Sequence, residues 1–317
     1  MGRHTLPPRH KVVDEKDVDE VRKLAQADSR LPEGRHQLHL LLQNYVLDDA
    51  RVATNPLELP ARHIQANMLS IHTPEASLDA MQNAVEDASI EVRGHLFSAL
   101  CAARAVLTAE QKANGVLLIH LGGGTTSYIA FANGIGVIAG SFGVGGEHVT
   151  KDIQQAFHLM SEKAAETMKR SGSATVDGVV ASERGNIPSG ESLMEERDRT
   201  FSARSLSVVI NARYDETLRI VHGLMESSGV LPKLGSGVVL TGGPAYQRNL
   251  PPLVSRIFKM PCAVGSVPEL SGLGEGQPAT LAAVFGALQI VDEDLQKQEN
   301  LDASGGGFWS RVKGGRS

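Results

Sequence analysis

The sequence predicts a mixed α/β fold, and three observations carry that prediction. An amphipathic helix is followed by two strand-like runs within the first 75 residues; an apolar run at 116 to 121 enters a glycine loop and a hairpin; and the later chain alternates helical periodicity with another short apolar run ending in glycines. At 317 residues the chain is long enough for about two domains, and 41% hydrophobic with 21% charged residues is a globular composition. With 31 basic against 36 acidic residues the net charge is -5, so no broad electrostatic footprint for nucleic acid exists. Cys101 and Cys262 read as core thiols of a reducing compartment. No apolar run reaches the ~18 residues of a membrane span, and the start lacks an apolar signal-peptide core, so a cytoplasmic protein is expected.

Residues 1 to 10 are basic and bear prolines, which predicts a loose arm, extended to 13 where a helix begins. From Asp14, Val18, Val21 and Leu24 recur at helical spacing behind an acidic first turn. Residues 36 to 47 and 62 to 72 alternate as strands around the Asn55-Pro56 turn signal, completing an α+β unit over 14 to 75. Pro74 opens a helix with Leu78, Met81, Ala84 and Val85 on one face, and IEVRGHLF at 90 to 97 reads as strand-like. Thr108 and Gln111 fit a capping box for a short helix stopped by Gly115.

Residues 116 to 121 then form a strand into the 122 to 125 glycine loop, and Asn133-Gly134 joins two further strands as a type I′ hairpin. Gly145-Gly146 precede a helix at about 149 to 159, and Ser161 caps another that Gly172 closes. Residues 171 to 199 read as irregular structure or short edge strands, and 203 to 227 as a long helix. A short strand leads to Thr241-Gly242-Gly243, a final buried helix covers 279 to 291, and 292 to 317 is a charged, then glycine-rich, tail.

Glycine groups at 122 to 125, 145 to 146 and 241 to 243 end apolar runs or open helices. Bare backbone N–H groups can wrap an anion and a helix N-terminus favours negative charge, so each is a candidate phosphate cradle. A glycine pair after a strand is more often a tight turn, so one loop alone says little. Neither a Walker loop nor a GxGxxG fingerprint is present.

The ordered words VLLIHLGGGTTSYIAFANG, GVGGEHVTKDI, VVINARYDETL and VVLTGGPAYQRNLPPLV resemble the actin-like ATPase superfamily, and more closely the FtsA family of bacterial cell-division proteins. DVDEVRKLA, NPLEL, VLTAEQKANGV and ATLAAVFGAL match that family in place, so the resemblance runs from about Asp14 to Ile290. It implies an actin-like, ribonuclease H-like duplicated α/β fold of two lobes with nucleotide between them. The first lobe, 76 to 114 and 271 to 291, would be incomplete, and 115 to 270 would be the second lobe. Its outer subdomain, about 155 to 205, would face the tubulin-like protein FtsZ. Residues 14 to 75 would be the family's inserted small subdomain, which serves self-association into filaments. Gly122, Gly123, Gly124 and Thr125 would form the second phosphate loop. Gly242 and Gly243 would sit by adenosine and phosphates, and Gly145, Gly146 and Arg213 would line the cleft. The implied cofactor is ATP with Mg²⁺.

Departures from the family pattern weaken the expected chemistry. The family's first phosphate hairpin has no counterpart ahead of Asp14, and the acids flanking the glycine loop are His120 and Ser127 here. Asn211 stands where another acid is expected. An Mg²⁺-phosphate complex prefers carboxylate oxygen, so hydrolysis is expected to be weak or absent and no catalytic residue is assigned. His120 itself reads as a partly buried, hydrogen-bonded strand residue.

The tail carries Phe308, Trp309 and Val312 on one side of a helical turn with Arg311, Lys313 and Arg316, the chemistry of an interfacial anchor such as the family uses on the inner membrane. Its gross binding energy is ~8 kcal/mol, and ordering so short a helix takes back several, so one copy binds weakly and many copies hold by avidity. The expectation is a scaffold tethering FtsZ to the membrane at the division site. A pilus-assembly actin homologue and an actin-superfamily ATPase or kinase are the alternatives.

Overall fold

The computed structural model describes residues 2–5, 11–29, 31–180, 182–188, 200–267 and 278–309. The first part of the chain is a helix on a sheet. Helix α1 (Glu15–Ala27) begins with a reciprocal capping box, in which the Asp14 carboxylate accepts from the Asp17 N–H and the Asp17 carboxylate from the Asp14 N–H, each at 3.0 Å. Strands β3 (Arg35–Leu47) and β6 (His63–Pro74) pair antiparallel along most of their length, with irregularities at Gln37/His39 and Leu42/Asn44. β4 (Arg51–Ala53) extends the sheet beside β3. Val18, Val21 and Ala25 of α1 meet Tyr45, Leu47, Ile64 and Ala66 in one core.

Within the expected loose arm, residues 2–5 and 11–12 are strands. Gly2–Thr5 form β1, paired antiparallel with β6 from Gly2 opposite Ala66 to Thr5 opposite His63, and Lys11–Val12 form β2, paired with β5 (Pro60–Ala61). The backbone hydrogen bonds of β6 give the arm an edge to join, which composition alone does not reveal.

The second part is built on a five-stranded sheet. Its strands are β7 (Val116–Leu121), β8 (Thr126–Ala132), β9 (Ile135–Phe142), β12 (Val238–Thr241) and β13 (Cys262–Val264), in the order β13-β12-β7-β8-β9. β13, β12 and β7 run parallel, whereas β7, β8 and β9 form an antiparallel meander. Asn133 and Gly134 have φ of 54° and 79°, the left-handed pair that a type I′ turn requires. Both sheet faces are covered, so β7 is an apolar run rather than an alternating strand. Leu117, Ile119 and Leu121 pack with Ile153, Met168, Ile210 and Leu253, which belong respectively to α5 (Gly146–Phe157), α6 (Glu162–Ser171), α7 (Ala203–Ser227) and α8 (Leu250–Phe258). Val116 and Leu118 face Ala99, Ala102 and Ala103 of α3 (Ser98–Val106) and Ala282 of α9 (Ala282–Trp309).

Caps and stops fall where the residue types place them. Thr108 accepts from the Gln111 N–H at the head of α4 (Ala109–Asn114), and Gly115 ends it at φ 89°. Ser161 accepts from the Ala164 N–H at 3.2 Å, opening α6. The stretch expected to be irregular or edge-like holds β10 (Arg184–Asn186) paired with β11 (Thr200–Ser202).

Three expectations are corrected. Residues 90 to 97 form no strand, because the Phe97 N–H donates to the His39 ring at 2.9 Å and leads into α3 instead of joining a sheet. The helix at 279 to 291 is not buried all round: its inner face approaches α3 so closely that a Cβ on Gly286 would overlap the Cys101 carbonyl, while Val284 and Leu288 are 60% and 63% exposed. On α2 (Glu75–Glu86) Leu78 is buried, but Met81 and Val85 of the same apolar set are exposed. Cys101 and Cys262 are both free thiols, pushed by burial to about 11 and about 12.

α9 continues to Trp309, so the first part of the expected charged, then glycine-rich tail is helical backbone, Gly305 to Gly307 included. The side chains of Phe308 and Trp309 and all of Arg311, Val312 and Lys313 lie outside the described residues. Among the described residues no helix is long and apolar enough to cross a membrane.

Candidate functional site

β7 and β12 run side by side in parallel and both end in glycine, Leu121 entering Gly122 and Thr241 entering Gly242. The carboxyl ends of parallel strands in an α/β sheet are where ligands lie, because the following loops diverge around a crevice. A cleft of about 690 Å³ opens there, lined by His120, Gly122, Gly123, Gly146, Glu147, Glu166, Lys169, Arg170, Tyr214, Gly242, Gly243, Tyr246, Gln247 and Thr280 among others.

Close backbone approach makes glycine necessary around it. Gly242 has φ 88°, and an added Cβ would overlap the Leu121 carbonyl; a Cβ on Gly145 would overlap the Gly123 carbonyl. The Gly146 and Glu147 N–H groups donate to the Gly122 and Gly123 carbonyls, each at 2.9 Å, and the Gly145 N–H meets the His148 ring at 3.2 Å. The first-turn donors of α5 are therefore used within the protein, contrary to the expectation of an open anion cradle there. In the glycine loop the Gly122 N–H is taken by the Thr125 carbonyl at 2.8 Å. The Gly123 and Gly124 N–H groups make no hydrogen bond to a described residue.

Gly122, Gly123, Gly146, Gly242 and Gly243 thus line the cleft, while Gly124, Thr125 and Gly145 belong to the same turns. Arg213 lies elsewhere. Its guanidinium holds both Asp152 carboxylate oxygens, at 2.6 and 3.0 Å, and Glu216 at 2.7 Å, tying α7 to α5. Asn211 donates to the Ala174 carbonyl at 2.6 Å, a structural contact.

The two departures noted beside the loop face each other, since His120 on β7 and Ser127 on β8 are directly paired. The His120 Nδ1 lies 3.1 Å from the Thr241 hydroxyl, and burial pulls the ring below its ordinary value, favouring neutral imidazole. Ser127 donates to the Ser141 hydroxyl at 3.0 Å.

The sequence did not single out the charged group on α6. Lys169 is buried, with its ammonium 3.1 Å from the Gly146 carbonyl, 2.9 Å from the Thr150 hydroxyl and 2.5 Å from the Glu166 carboxylate. Arg170 takes the other Glu166 oxygen at 3.1 Å. Burial alone would push the Glu166 carboxyl up, but the Lys169 and Thr150 hydrogen bonds and the Lys169 charge outweigh it and hold the group below its ordinary value. The spacing of Glu166, Lys169 and Arg170 was visible, yet such i,i+3 and i,i+4 sets are usual on solvated helix faces.

Tyr214 is 2% exposed and lines the cleft, and its hydroxyl has no hydrogen-bond partner among the described residues. Burial, then the Glu166 charge, push its ionisation up, so it stays a neutral donor. An orphaned donor of this kind calls for a ligand or water. Gln247 is fixed by donating to the Lys169 and Gly172 carbonyls at 2.9 and 2.7 Å, and the Tyr246 hydroxyl accepts from the Ala279 N–H at 2.9 Å. Among the described residues no three His, Cys, Asp or Glu gather as a metal-ligating group.

Comparison with known proteins agrees with this architecture. Solved structures similar in fold include MreB5 of Spiroplasma citri bound to ADP, with a TM-score of 0.55 and 20% identity over 72% of this chain and 68% of that one. The PilM-PilN type IV pilus biogenesis complex matches with a TM-score of 0.53 and 13% identity over 90% and 73%. The fold is actin-like. The FtsA protein of Pseudomonas aeruginosa is 30% identical over 268 residues, 84% of this chain and 63% of its own length; that of Escherichia coli is 26% identical over 320 residues, 97% and 75%. The chain thus spans less than two thirds of the Pseudomonas protein. The family model "SHS2 domain inserted in FTSA" matches residues 2–72, taking in β1, and the model "Cell division protein FtsA" matches residues 117–284, which hold the five-stranded sheet and the cleft. On these matches the chain belongs to the FtsA family of cell division proteins.

Proposed function

We propose that this protein is a cell-division scaffold that holds an adenine nucleotide in the cleft and links FtsZ to the inner face of the membrane with little or no hydrolysis. The convergence of the glycine turns at 122 to 125 and 242 to 243 on a cleft with an orphaned Tyr214 hydroxyl carries the nucleotide reading. The volume, the Gly123 and Gly124 amides without a partner among the described residues, and the glycine positions without room for a Cβ fit a nucleotide. Gly123 and Gly124 would meet phosphate oxygens, and Tyr214, Glu166 and Gln247 would supply polar contacts beside them. Mg²⁺ would neutralise phosphate charge. His120 and Ser127 offer it no carboxylate, which argues for binding without efficient turnover.

Family membership supports FtsZ, self-association into filaments and a peripheral place on the cytoplasmic membrane as the accompanying contacts. The Phe308, Trp309, Arg311, Val312 and Lys313 composition suits an anionic lipid surface. Binding of a fluorescent ADP analogue, pull-down of FtsZ from the same organism, and co-sedimentation with anionic vesicles before and after deletion of 308 to 317 test the three parts. Retention of vesicle binding after the deletion would remove the tail from the reading.

A further inference from the structure

The charges of the cleft are unevenly committed. Lys169 and Arg170 are both engaged with Glu166, and Lys169 is further held by the Gly146 carbonyl and the Thr150 hydroxyl. Glu147 is different: it is exposed, lines the cleft, and its carboxylate makes no hydrogen bond or ion pair with a described residue, although its backbone N–H donates to the Gly123 carbonyl. Its carboxylate lies over the glycine loop, so close that a Cβ added to Gly123 would stand 2.5 Å from Oε1 and one on Gly124 4.0 Å from Oε2. A polyphosphate approaching the Gly123 and Gly124 amides, which no described residue takes, would therefore meet a negative charge that no described residue pairs. Like charges at such range oppose binding strongly unless a cation stands between them.

We propose that Glu147 is the carboxylate through which this cleft demands a divalent cation with its nucleotide. The inference rests on the nucleotide reading of the cleft, which Tyr214's buried hydroxyl, without a partner among the described residues, supports independently. The neutral His120 and Ser127 on the strands leave the cation-facing role to this residue on the first turn of α5. A carboxylate oxygen and phosphate oxygens together form the hard donor set that Mg²⁺ takes, with water filling the remaining positions. Without the cation, the same carboxylate repels the phosphates from the loop. Glu147 thus makes Mg²⁺ a condition of binding rather than an accessory.

The test measures affinity of the full 317-residue chain for a fluorescent ADP analogue in saturating Mg²⁺ and in excess EDTA, for the native protein, Glu147→Gln and Glu147→Lys, each checked for an unchanged thermal transition. The native chain is expected to lose at least about tenfold in affinity in EDTA. Glu147→Gln should lose most of that dependence, and Glu147→Lys should bind more tightly than the native chain in EDTA. Equal Mg²⁺ dependence in all three would overturn the role of Glu147 while leaving the nucleotide reading intact. Absence of binding by every form in both conditions would overturn the nucleotide reading and this inference together.

Discussion

Lys169 and Glu166, one helical turn apart on α6, bring ammonium and carboxylate to 2.5 Å, and the same lysine reaches the Gly146 carbonyl at the head of α5. The pair therefore joins two helices beside the glycine loop. Lys169→Met should destabilise the fold by about 2–3 kcal/mol, below the full cost of breaking a buried pair because Glu166 is partly solvated. Urea denaturation measures it. In the native protein the pair's contribution is complete above pH 4.5, the ordinary Glu value, and is lost as pH falls through the lowered native value. Lys169→Met should flatten that acid limb.

Tyr214 offers a cleaner probe of the cleft. Removing a buried hydroxyl that has no partner among the described residues costs none of their hydrogen bonds, so Tyr214→Phe should leave unfolding unchanged or raise stability by up to about 1 kcal/mol. Its affinity for an ADP analogue should fall about three- to tenfold, the worth of one hydrogen bond. A variant destabilised by more than about 1 kcal/mol would mean that the hydroxyl has a partner in solution.

Burial keeps His120 neutral at pH values where the unfolded chain takes up a proton. Because the native value is lowered and the unfolded value is 6.5, stability should decline as pH falls below 6.5 and should not respond to this residue above it. NMR titration should place the His120 midpoint below 6.5, and His120→Asn should remove its share of the slope.

Gly242 and Gly134 both have positive φ but differ in surroundings. A Cβ on Gly242 would meet the Leu121 carbonyl, whereas nothing lies within 4 Å of one on Gly134. Gly242→Ala should cost about 3 kcal/mol or more and abolish ADP binding, and Gly134→Ala about 1 kcal/mol with binding retained. Thermal unfolding with a binding assay on each separates backbone strain from site closure.

The outer face of α9 exposes Val284, Leu288, Val291 and Leu295 in one stripe. Replacing Val284 and Leu288 by Ser should shift unfolding, followed by urea denaturation, by no more than about 0.5 kcal/mol each.

Local signals were legible because the residues that produce them lie within four positions of one another. The helix that begins at Asp14, the Thr108 capping box, the Ser161 cap and the Asn133-Gly134 turn stand where the sequence places them, as does the long helix from Ala203 to Ser227. The ordered glycine words likewise mark the family and the strands that bear the cleft. α3 escaped notice because Ser98 to Val106 is a short run of small apolar residues with no side-chain cap to announce it. Only tertiary structure decided that Gly2 to Thr5 pair with β6, that Arg213 holds Asp152 instead of lining the cleft, and that Lys169 is neutralised while Glu147 is left over the glycine loop. Those outcomes depend on which distant groups come within hydrogen-bonding reach. A charged residue reads alike in sequence whether its partner stands 61 positions away, as Asp152 does from Arg213, or is missing altogether, as for Glu147 among the described residues.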